Sequence, residues 1–246
     1  MDWAELGWMV GAGLATTVGG LALLVVRSPG DRLLDTLLGF TAGVMLAATC
    51  FSLLVPALDE GTVAEVLLGF GVGAAVLALL DFVLPHVHAR FAERRFDSRA
   101  GRRSVLLLSA LTIHNVPEGL AVGVAFAAGG TDLGVPVALA IGIQNVPEGF
   151  AAAAPLLDAG VSTRGAVAFA AATGAVEPPA ALLAYGAGEA ASALLPFGLA
   201  FAAGAMLYVI ADELIPESHA RGFERAATFA LLGGFALMLV LDNAIG

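Results

Sequence analysis

The sequence contains no lysine. All 11 basic residues are arginines, set against 21 acidic ones for a formal net charge of −10. No nucleic-acid partner is expected of so acidic a chain. There is a single cysteine, Cys50, which excludes an intramolecular disulfide and any Cys-rich metal cluster. In an apolar stretch it reads as a small packing residue. Charge itself is scarce: 13% of residues are charged and 59% are hydrophobic, with a mean hydropathy of +0.91. A water-soluble domain of 246 residues could not hide that much apolar surface. The acidic start, Met1 to Glu5, lacks the positive charge of a signal peptide, so the first helix is expected to be retained.

The composition shows long apolar runs. Eight are about twenty residues long or more, over 6–26, 33–57, 64–84, 104–128, 133–157, 163–185, 191–214 and 222–243. Each is long enough for a transmembrane helix. The reading is an all-α polytopic membrane protein with eight transmembrane helices, forming one transmembrane domain over 1–246. The 31 glycines suit helices that pack closely in lipid. Every arginine falls in a connection after an odd-numbered run, with six between the third and fourth: Arg90, Arg94, Arg95, Arg99, Arg102 and Arg103. Under the positive-inside rule the 85–103 loop is cytoplasmic, both termini are extracytoplasmic, and the protein sits in the cell membrane.

Within the runs lie carboxylates without arginine partners. "LTIHNVPEGLAVGVAF" begins at Leu111 and "AIGIQNVPEGFAAAAP" at Ala140, so N-V-P-E-G occurs twice. Glu118, Glu148 and Glu177 fall near mid-span, where an ionised carboxylate costs about 2.5–3.5 kcal/mol on insertion scales. The missing counter-charge must come from outside the chain, as protons or metal ions. The plainer alternative is protonated glutamates acting as helix glue. His114 and Glu118 are four apart, so one helix face carries both, with Asn115 at its border. Gln144, Asn145 and Glu148 repeat the arrangement. Pro117 and Pro147 free the carbonyls of Ile113 and Ile143, which predicts kinks there. Glu177 is followed by Pro178 and Pro179. Imidazole, amide and carboxylate together suit a borderline divalent cation such as Zn²⁺, Fe²⁺ or Mn²⁺.

A longer repeat relates "AGVMLAATCFSLLVP", from Ala42, to "AGAMLYVIADELIP", from Ala203. With the topology above it is inverted, relating helices one to three and six to eight around the central pair four and five. Such repeats place a substrate site near the midplane. Met45 lies at that depth, as a core methionine or a thioether ligand. Asp212, Glu213, Glu217 and His219 form either an exit path or a solvated helix end.

His114-Asn115-Val116-Pro117-Glu118-Gly119, Gln144-Asn145-Val146-Pro147-Glu148-Gly149 and Glu177-Pro178 closely resemble the ZIP (Zrt/Irt-like) family of divalent-metal transporters, particularly its GufA-like prokaryotic branch. The resemblance covers essentially the whole chain. It implies metal uptake toward the cytosol through a binuclear centre. By position, Met45, His114, Glu118, Gln144 and Glu148 would form one site. Asn115, Asn145 and Glu177 would form the other, with Glu118 and Glu148 as bridges. Some relatives carry Asp at the position of Asn145 and others His at that of Gln144. Many carry a His-rich tract in the three–four loop, where this chain has only His86 and His88. The transported substrate is expected to be zinc above all, with iron, manganese and cadmium as further candidates. No prosthetic group is expected, and the assembly is expected to be a homodimer in the lipid bilayer. The alternative reading is an intramembrane metal-dependent hydrolase, which would need a closed ligand set with an activated water.

Overall fold

A computed structural model describes residues 1–27, 29–83, 112–158, 160–187 and 194–244, with helical backbone also over 84–95 and 99–111. The side chains of His86 and His88 lie outside the described residues. Helix α1 (Trp3–Ala22) opens on a capping box, in which the Asp2 carboxylate accepts from Glu5 N and the Glu5 carboxylate from Asp2 N, each at 2.8 Å. Two of the orphan amides at the helix start are satisfied in this way. Helix α2 (Asp31–Glu60) and α3 (Val63–Arg95) follow. Arg99–Asp158 is one helical stretch broken at Gly130, whose φ of 56° and ψ of −141° are open to glycine at little cost. Its two arms are α4 (99–129) and α5 (131–158). Helix α6 (Thr163–Gly186) has two halves, Thr163–Gly174 and Glu177–Gly186, and α7 (Leu195–Ser218) and α8 (Glu224–Ala244) complete the chain.

The kinks expected at Pro117 and Pro147 do not appear as breaks. The helix runs through Pro117, Pro136, Pro147 and Pro155, and the departure from helical dihedrals falls at Gly130 instead. Irregularity arises elsewhere too. Ala48–Leu54 in α2 and Ile210–Leu214 in α7 are π-helical, and each segment ends just before a proline, Pro56 or Pro216. Such wide turns are rare and tend to mark functional sites. The sequence repeat between these two helices thus carries a shared backbone irregularity.

Close packing explains the glycines. On α2, Gly39 and Gly43 are one turn apart against α8, and a Cβ on Gly43 would lie 2.0 Å from Leu231 O. On α3, Gly69 and Gly73 pack in the same way on α7, where a Cβ on Gly73 would lie 2.0 Å from Phe201 O. Only hydrogen in place of a side chain allows backbones this near, which is how helices adhere in lipid without a hydrophobic drive.

Six helices among the described residues are long and apolar enough to cross a membrane, against eight expected. The 47-residue stretch Thr112–Asp158 counts once although it folds back at Gly130, and α1 is not among the six. Glu5 and the glycines and threonines of α1 dilute its hydropathy. The apolar windows of α3 and α8 are only 22% and 17% buried, so their leucines and phenylalanines, among them Leu67, Leu68, Phe82 and Phe229, need a lipid surround. The chain is a polytopic helical membrane protein.

Candidate metal centre

The two N-V-P-E-G motifs sit on facing arms. His114, Asn115 and Glu118 on α4, and Gln144, Asn145 and Glu148 on α5, are all buried. Gln144 Nε2 donates to Glu118 Oε1 at 2.5 Å and ties the arms together. Several lone-pair atoms face this interior without a hydrogen-bond partner among the described residues. They are His114 Nδ1, Glu118 Oε2, Gln144 Oε1, Glu148 Oε2, Asn115 Oδ1 and Asn145 Oδ1. Buried polar atoms are normally satisfied, because leaving one bare costs about 1–3 kcal/mol. Here all but His114 Nδ1, whose role depends on the tautomer, are pure acceptors. Imidazole, amide and carboxylate are donor types that fit a divalent transition metal. Among the described residues no group of three His, Cys, Asp or Glu side chains is placed to hold a metal ion by itself.

Glu177 lies where α6 is interrupted. Its two prolines fall in the first turn of the second half-helix, where a missing N–H is harmless and the fixed φ already suits a helix. Its carboxylate accepts from Asn115 Nδ2 at 2.9 Å, from Asn145 Nδ2 at 2.9 Å to each oxygen, and from Thr16 Oγ1 on α1 at 3.4 Å. Asn145 Nδ2 also donates to Ala12 O at 2.9 Å. The residues expected to form a second site are therefore brought together, joined by hydrogen bonds.

A cavity of about 620 Å³ opens from His114 and Glu148 past Asp212, Glu213 and Glu217 to Arg221. His114 Nε2 is 3.1 Å from Glu213 Oε2, within ion-pair distance though not aligned as a hydrogen bond. Three of the four residues expected along an exit path line this space. His219 stands apart from the lining, with Nδ1 2.9 Å from both Ile215 O and Ser218 Oγ. Met45 is buried in the apolar core with Leu38, Ala42 and Leu53.

Three features escaped the sequence reading. Tyr208 OH lies 3.5 Å from both Asp81 Oδ2 and Asp212 Oδ2, so α3 and α7 share a polar contact. Ser52 Oγ donates to Asp242 Oδ1 at 2.6 Å, linking α2 to α8. Asp35 on α2 is fully buried, accepting from Arg221 Nη1 at 3.1 Å and Phe223 N at 3.2 Å, while Arg221 also pairs with Glu217. A carboxylate inside an apolar run was the available signal in each case. The mid-span rule applied to Glu118 passes over Asp35, Asp81 and Asp242, because each lies near the end of its run.

An interior of paired helical arms, an interrupted helix and buried imidazole, amide and carboxylate groups is consistent with a membrane protein that handles metal ions. Comparison with known proteins makes this specific. The model of the family described as ZIP Zinc transporter matches residues 92–242. The chain is 43% identical to zinc transporter GufA of Myxococcus xanthus over 96% of each chain. It is 41% identical to zinc transporter ZIPB of Bordetella bronchiseptica, over all of this chain and 82% of that one. Zinc transporter ZIP11 of Homo sapiens is 34% identical over 94% of each. The chain belongs to the ZIP zinc transporter family.

Proposed function

We propose that this protein carries divalent transition-metal cations, zinc foremost, across the cell membrane into the cytoplasm through its mid-membrane centre. As a ZIP family member the chain is a transporter and not an enzyme, so the hydrolase alternative falls away. The carrying observation is the set of buried acceptor atoms on His114, Glu118, Gln144 and Glu148 that opens, through His114 and Glu148, onto the acid-lined cavity. Cations bind where carboxylate oxygens lack donors and leave along a wall that keeps them attracted without enclosing them. Met45 is proposed as a thioether donor from α2. The resemblance implies a second ion on Asn115, Asn145 and Glu177, with Glu118 and Glu148 shared, but in this chain those three are joined to one another by hydrogen bonds.

The finer topology is part of the proposal. Counting α1 and both arms of the Gly130 break makes eight crossings, with α1–α3 and α6–α8 as inverted repeats around α4 and α5. All 11 arginines then lie on the cytoplasmic side. The Arg221 end of the cavity faces that side, so the conformation described is inward-open. A homodimer is the proposed assembly. The test is uptake into sealed proteoliposomes with Zn²⁺, Cd²⁺, Fe²⁺ and Mn²⁺ compared, with and without a pH gradient. Saturable Zn²⁺ entry is expected, and metal binding without flux would overturn the proposal.

A further inference from the structure

Glu177 differs from the other carboxylates of the centre. Glu118 and Glu148 each keep an oxygen without a partner, whereas both oxygens of Glu177 are taken by protein donors. The donors come from three other helices: Thr16 on α1, Asn115 on α4 and Asn145 on α5. The backbone closes in as well, since a Cβ on Gly119 of α4 would lie 2.4 Å from Glu177 O. One carboxylate therefore ties four helices.

The orientation of Asn145 decides what this cluster can do. Its Nδ2 faces Ala12 O, which can only accept, and at the same distance faces both oxygens of Glu177. The backbone carbonyl sets which end of the amide points there, because a flip would bring Oδ1 against a second acceptor. A metal held by Glu177 would need the amide hydrogens out of its way, and their removal would strip the bond to α1. The cluster also has a single carboxylate to set against two positive charges.

Resting on the transport reading above, we infer that this chain carries one ion at a time, on the His114–Glu118–Gln144–Glu148 side. Glu177 with Asn115, Asn145 and Thr16 is a polar tie holding α1, α4, α5 and α6 as a unit. The tie makes Asn145 the residue that sets ion stoichiometry. An aspartate there has no hydrogen to give Ala12 O or Glu177, and it puts two carboxylates side by side, which is a cation site.

The experiment counts Zn²⁺ bound per chain in the purified full-length protein and measures the melting temperature of the zinc-free form. One Zn²⁺ is expected for the native chain and two for Asn145→Asp. Glu177→Gln is expected to keep one Zn²⁺ but to lose roughly 5 °C or more in melting temperature, because one oxygen stays to accept while the other gives way to an NH2 set against the Asn145 Nδ2 donor. Two Zn²⁺ on the native chain would overturn the single-ion inference and leave the transport reading standing. So would an Asn145→Asp variant that still binds one, or a Glu177→Gln variant as stable as the native chain. No Zn²⁺ on the native chain would overturn the transport reading itself. If Glu177→Gln fails to fold, the native and Asn145→Asp counts decide.

Discussion

His114 Nε2 and Glu213 Oε2 are 3.1 Å apart, although 99 positions separate them and they lie on α4 and α7. The imidazole belongs to the central motif and the carboxylate to the wall of the cavity. One residue thus faces the ion site and the way out together. On the proposed route, an ion leaving the centre would meet a carboxylate as its next ligand, which would keep its charge compensated during the first step. Neutralising the wall with Asp212→Asn and Glu213→Gln together is expected to slow uptake while leaving Zn²⁺ bound at the centre. Vesicle flux beside bound-metal content reads both, and unchanged flux would make the pair a solvated helix end.

Glu118 and Glu148 supply the only carboxylate oxygens of the centre that lack a partner among the described residues. Each removed charge leaves a dication less compensated in a medium of low dielectric. Glu118→Gln and Glu148→Gln are expected to abolish measurable uptake and to weaken Zn²⁺ binding by at least 10–100-fold, roughly the loss seen when support of a metal ligand is removed. His114→Ala is expected to abolish transport also, since it takes the one imidazole. Retention of native affinity in either carboxylate variant would place the ion elsewhere.

Gly43 allows α2 and α8 to touch. A methyl group there would lie 2.0 Å from Leu231 O, so the helices must part or the backbone must shift. Gly43→Ala is expected to cost about 1–3 kcal/mol, seen as a lower melting temperature in detergent. Gly71, with nothing within 4 Å of its Cβ position, is the control, and Gly71→Ala should leave stability near native. Equal effects at both positions would mean that close approach is not what Gly43 provides.

Topology can be tested with thiols. After Cys50→Ser removes the native cysteine, single cysteines at Asp2 and at Arg99 should react with a membrane-impermeant reagent from opposite faces of intact cells. Reaction of both from the same face would refute the eight-crossing arrangement.

The sequence alone determined the solvent and much of the chemistry. Apolar runs, the absence of lysine and the one-sided arginines depend on local composition, which no fold can change. The motif pair placed His114 with Glu118, and Gln144 with Glu148, because helical spacing is itself local. Which partners satisfy those groups was a tertiary matter. Gln144 meets Glu118 only because Gly130 folds α5 back along α4. Glu177 is covered only because α1 brings Ala12 and Thr16 beside the break in α6. His114 faces Glu213 only because α7 packs across the same space. The one departure from helical dihedrals in this stretch fell at Gly130 rather than at a proline, since neighbouring helices hold the backbone at the prolines while a positive φ favours glycine. A hydrogen bond between residues a hundred positions apart leaves no periodic trace in a single chain, so only the packed helices could decide which carboxylates remain open to a metal ion.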